Sequence, residues 1–138
     1  MSDPQGYRAE RRETALLVLV AILATFIPQR LYLHLVNPHA DAFLFGYNIH
    51  HLFTGAAIEI PAAIVLALRL GSRWTRRVAA LAFGAGTAMV LDEVIFLITT
   101  DGSNMAYLTP ISLWGAVVLV GLAVAGLVIV LSLSRTQP

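Results

Sequence analysis

The 138-residue chain contains no cysteine. Disulfides, iron–sulfur clusters and thiolate zinc sites are thereby excluded, and cysteine usage says nothing about the redox compartment. Lysine is missing too, so all nine basic residues are arginine, and charged residues of both signs make up only 12% of the chain. Soluble domains carry about 25%. What the sequence has instead is hydrophobic residues, 58% of the total, with a mean hydropathy of +0.78. That is a membrane composition, and the length suits one domain of short-looped spans without a soluble catalytic domain beside it.

A helical span needs about 20 consecutive apolar residues. Four stretches meet that requirement, 14–36, 48–70, 77–100 and 109–134. They predict an all-α integral membrane four-helix bundle over 14–134, between tails at 1–13 and 135–138. Arg8, Arg11 and Arg12 precede the first stretch as they would a signal peptide. No small-x-small cleavage pattern follows, and apolar character resumes beyond Pro28, so the stretch reads as a retained span. Thr109 and Pro110 suit the N-cap and first position of the fourth helix. Arg8, Arg11, Arg12, Arg69, Arg73, Arg76, Arg77 and Arg135 all fall at one side of this arrangement, and only Arg30 lies toward the other. The positive-inside rule then places both termini in the cytoplasm, and the location expected is a prokaryotic inner membrane. RLGSRWTRR reads as anchoring beside membrane lipids, not as a nucleic-acid patch.

Asp3, Glu10, Glu13, Asp41 and Asp101 fall in predicted tails or loops, which leaves Glu59, Asp92 and Glu93 inside spans. Each charged side chain near the bilayer centre costs about 2.5–3.5 kcal/mol, so three unpaired ones would cost on the order of 8–10 kcal/mol. They must be neutralised, paired or wetted. At a rise of about 1.5 Å per residue, Glu59 falls near the midplane, with Arg30, Asp92 and Glu93 about 5–8 Å toward the outer face. His34, His50 and His51 come out about 12–14 Å above the midplane. His51, Gly55 and Glu59 share a face of the second span, while Ala80, Gly84, Ala88 and Asp92 form a ladder of small residues ending in a carboxylate on the third. His50 points about 100° from His51, which makes His51 the better candidate to face the acids. Pro28 and Pro61 free the carbonyls of Ala24 and Ala57, and kinks there would widen the outer half.

HHLFTG in the second span and GAGTAMVLDE in the third resemble the paired signatures, HHxxxG and a glycine-containing run ending in LDE, of a loose group of small four-span prokaryotic membrane proteins. The likeness covers about sixteen residues and the hydropathy profile. It implies that the two motifs form one site, and it implies no activity.

Two chemistries would neutralise the surplus acid, and the first, a divalent-metal-binding membrane protein or metal-dependent membrane enzyme, is the reading expected, with the second as its alternative. In one, Arg30 pairs with a span-three carboxylate, and a divalent cation such as zinc, iron or manganese is held by His51, Glu59, Asp92 and Glu93, with His50 and His34 as further ligands. A metal-dependent enzyme of this kind would use Glu59 or Glu93 as general base and Arg30 to steady an anionic group. In the other, low dielectric keeps a carboxyl protonated, and Glu59 couples protons to transport or ion flow in a homo-oligomer. Haem between His34 and His51 is disfavoured by the neighbouring carboxylates. A structural subunit docking through Gly115, Gly121, Ala125 and Gly126 is the third class. The sequence does not decide whether the chain is an enzyme.

Overall fold

The computed structural model describes residues 4–36, 43–44, 47–48 and 50–136. Asp41, expected on the outer side, lies outside them. Helix α1 runs Pro4–Leu35, α2 His51–Ala67, α3 Arg73–Thr99, the single turn α4 Asn104–Tyr107, and α5 Pro110–Thr136. A minimal antiparallel ladder pairs β1, Phe43–Leu44, with β2, Tyr47–Asn48.

Helices α1, α3 and α5 are each long and apolar enough to cross a membrane. Helix α2 has 17 residues. That is about 26 Å at the helical rise, a little short of a hydrocarbon core of about 30 Å. The predicted span 48–70 is therefore trimmed at both ends. Asn48 belongs to the extended β2 pair. At the other end the helix stops where Arg69 and Gly71 take φ of 52° and 70°, left-handed values that a helix cannot continue through. Ser72 then starts α3 cleanly: its Oγ accepts the Thr75 N–H at 3.2 Å, and Thr75 Oγ1 accepts the Ser72 N–H at 3.3 Å. Helix α1 departs from expectation in the opposite direction, extending ten residues before position 14. Glu10 and Glu13, read from sequence as tail residues, are instead helical and paired. Glu10 Oε1 accepts from Arg76 Nε at 2.6 Å, and Glu13 bonds both Arg73 and Arg77. Those pairs bind the first turns of α1 to the first turns of α3.

Helix α3 is the centre of the bundle, packed on α1, α2 and α5, while α2 packs chiefly on α3. The triplet Gly84-Ala85-Gly86 explains the arrangement. Two residues advance a helix by about 200°, so these glycines open nearly opposite faces. A Cβ on Gly84 would meet the Val18 carbonyl oxygen of α1 at 2.5 Å; one on Gly86 would meet the Gly55 carbonyl oxygen of α2 at 2.6 Å. Neighbouring backbones come that close only where no side chain intervenes. On α5, Gly115 abuts Ile95, whereas Gly121 and Gly126 face open space. The core holds Val18, Ile22, Ala80, Ala88 and Val120. Large apolar side chains such as Val20, Ile60, Ile98 and Leu122 point outward, as lipid-facing residues do. Both α1 and α2 continue through their prolines, Pro28 and Pro61.

Candidate functional site

Asp92 ends the small-residue ladder of α3, and Ala80, Gly84 and Ala88 on that ladder are all buried, so its carboxylate enters the interior at the end of the bundle opposite the arginine-rich turn. A buried carboxylate requires donors. Arg30 of α1 supplies the strongest, with Nε 2.5 Å from Asp92 Oδ1. The rest of its guanidinium reaches the Asp92 carbonyl at 3.1 Å, Ser112 Oγ on α5 at 3.3 Å and the Tyr107 carbonyl on α4 at 3.3 Å. Planar geometry lets one arginine bond along several directions at once. The same guanidinium lies 4.1 Å from the centre of the Tyr107 ring. Asp92 Oδ2 accepts from the Tyr107 hydroxyl and from Gln29 Nε2 at 3.1 Å.

The head of α2 completes the network. His51 Nε2 lies 2.8 Å from Asp92 Oδ2, and its Nδ1 lies 3.1 Å from Glu93 Oε1. His50 Nδ1 is 3.3 Å from the same Glu93 oxygen. The two imidazoles converge despite their 100° helical separation because His50 is the extended N-cap residue, with φ −60° and ψ 140°, and stands outside the helical screw. Its side chain provides no cap. Glu93 does so from α3: its Oε2 accepts the Leu52 N–H at 2.7 Å, placing a carboxylate at the positive end of the α2 dipole. The site is dry at its acids and damp at its imidazoles. Side-chain exposure is 1% for Asp92 and 4% for Glu93, against 24% for His51 and 22% for His50.

The other sequence candidates lie elsewhere. His34 is exposed and turns its Nδ1 onto the Arg30 carbonyl one helical turn back, at 3.0 Å. Glu59 sits two turns below His51 and meets Thr87 Oγ1 at 2.8 Å, apart from the Arg30 network. Among the described residues no three His, Asp or Glu side chains form a group able to hold a metal ion. Sequence reasoning missed Tyr107, Ser112 and Gln29. Tyr107 reads as an interfacial aromatic before a span, and Gln29 and Ser112 carry no charge to demand a partner. The one available signal was the surplus of acid over Arg30, which required further donors.

Fold and site together define a small helical protein with helices fit to cross a membrane and a buried polar network around Asp92. No protein family, curated protein or solved structure matches the chain. Its chemistry must be argued from the network.

Proposed function

We propose that the chain is a proton-linked membrane protein, with both termini inside and the His50–His51 end outside. One proton held among His51, Asp92 and Glu93 fixes the head of α2 to α3, and release of that proton frees it. Transport through such a small bundle would run within a homo-oligomer, since four helices around a packed core leave little room for a pathway of their own.

The observation that carries this reading is the placement of His51, with both ring nitrogens against carboxylate oxygens at 2.8 and 3.1 Å. A neutral imidazole has one donor and one acceptor, and would turn a lone pair toward one of the two acids. An imidazolium suits both. Charge counting agrees: Asp92 and Glu93 bring two negative charges and Arg30 one positive, so one more proton makes the network neutral. The partly exposed imidazoles give that proton a route to outside water, which the buried acids lack.

A divalent cation is the competing occupant of the same donors. It suits them less well, because Asp92 is already engaged by Arg30, Tyr107, Gln29 and His51, and Glu59 and His34 stand apart. Stoichiometric zinc, iron or manganese in protein purified without chelators or a metal-binding tag would replace the proton reading with a metal one.

Nuclear magnetic resonance with nitrogen-15 in histidine and leucine tests the proton directly. Across the pH range over which the protein stays folded, the His51 ring and the Leu52 amide, which hydrogen-bonds Glu93, should shift together in one step. In His51→Gln the Leu52 step should vanish. A Leu52 signal constant across that range, or a step that survives in the variant, overturns the reading. Vesicles containing wild type should also dissipate an imposed pH gradient faster than vesicles containing His51→Gln.

A further inference from the structure

A second feature lies at the other end of the bundle. There a cavity of about 360 Å³ opens among α1, α2, α3 and α5. The inner wall is apolar, formed by Val18, Leu66, Phe83 and Leu127. The mouth is cationic, with Arg11, Arg69 and Arg76 around Glu10 and Tyr7.

The arginines at this end differ in their partners. Arg76 is committed to Glu10 at 2.6 Å and to the Gly71 carbonyl at 2.8 Å, and Arg73 and Arg77 share Glu13. Arg11 and Arg69 have no carboxylate partner among the described residues. The Arg69 guanidinium is held over the Tyr7 ring, 4.6 Å from its centre, with its charged edge left for another group. Arg69 also has a φ of 52°, a conformation that glycine or asparagine adopts at lower cost. Three guanidinium groups therefore share a mouth with one carboxylate, above an apolar wall that begins about two helical turns deeper, from Arg11 to Val18.

We propose that this cavity binds one anionic phospholipid, its phosphate between Arg11 and Arg69 and an acyl chain along Val18, Phe83 and Leu127. Only an amphiphile satisfies both halves of the cavity. A small anion would leave the apolar wall wet, and a neutral lipid would leave two guanidinium groups without a counter-charge. The supplier is the leaflet that the basic end faces. This inference is independent of the proton at His51 and stands or falls separately.

The test uses full-length protein in a neutral detergent, titrated with phosphatidylglycerol while melting temperature is followed and bound lipid is counted by native mass spectrometry. One phosphatidylglycerol should bind and raise the melting temperature saturably. Arg69→Gln and Arg11→Gln should each weaken half-saturation at least tenfold, while Arg12→Gln, exposed on α1 and outside the cavity, should leave it unchanged. Leu127→Phe, which narrows the apolar wall without touching charge, should also weaken binding. Equal stabilisation by phosphatidylcholine would make the cavity a general lipid contact and overturn the proposal. So would equal stabilisation by inorganic phosphate, which would identify a simple anion site, or equal loss in Arg12→Gln, which would identify diffuse surface charge.

Discussion

Replacing Arg30 by leucine would leave the Asp92 carboxylate, 1% exposed, without its cation. Removing one member of a buried ion pair costs about 3–5 kcal/mol, chiefly because the surviving charge stays buried. Here Tyr107, Gln29 and His51 would still bond Asp92, which places the cost near the lower end, about 3 kcal/mol. Asp92→Asn is the complementary change: it strands the guanidinium but keeps an acceptor for Tyr107. The double variant Arg30→Leu/Asp92→Asn removes both members of the pair, so neither of its charges is left without the other. Its loss should fall short of the sum of the single losses by about 1.5–3 kcal/mol, at the upper end of couplings between contacting residues. Equilibrium unfolding in mixed micelles, followed by helical circular dichroism, measures all four proteins under one condition. Losses that add to within about 0.5 kcal/mol would mean that the two groups do not interact, and the network would have to be redrawn.

Gly86→Ala should destabilise the bundle by about 1–3 kcal/mol, because the new methyl group would press on the Gly55 backbone at 2.6 Å. Gly121→Ala, whose methyl group meets nothing within 4 Å, should be neutral or slightly stabilising, and equal losses in the two variants would discredit the close α2–α3 approach. Glu59→Gln should keep stability within about 0.5 kcal/mol, since the amide oxygen can accept from the Thr87 hydroxyl where the carboxyl oxygen does. A large loss by thermal unfolding would show that this position does more than accept the Thr87 bond.

The membrane class and the helical content were legible because they depend on long runs of apolar residues, which a linear reading counts directly. The ladder Ala80, Gly84, Ala88 on the third span and Gly55 on the second marked faces where helices could approach closely, without saying which neighbour each would meet. Boundaries were harder. The first span began at 14 in the sequence because Glu10 and Glu13 looked like solvent-exposed tail residues, and only the arginines of α3, some 60 positions later, make them helix residues. Within the site, depth counting brought Arg30, Asp92, Glu93 and His51 to one end, but it could not see that His50 stands off the helical screw, or that His34 would bond the Arg30 carbonyl one turn back. Tyr107 escaped for a related reason. Its role comes from α4, a single turn that folds the chain back over Arg30, and four residues carry too little periodicity to announce such a turn.

The separation of Arg30 from Asp92 along the chain, 62 residues, also constrains how the protein is made. Synthesis delivers Arg30 first, and its counter-charge arrives only after α2, the basic turn and most of α3 have followed. In that interval α1 carries a cation with nothing to neutralise it, and the least costly position for a long arginine side chain is stretched toward the headgroups. Until α3 is beside it, α1 is therefore expected to sit shallower than in the folded bundle. A variant that slows or misplaces α3 would trap α1 at the shallower depth, with Pro4–Glu13 and its pairing carboxylates displaced from the basic turn. Assembly of both ends of the bundle is thus tied to the arrival of one aspartate.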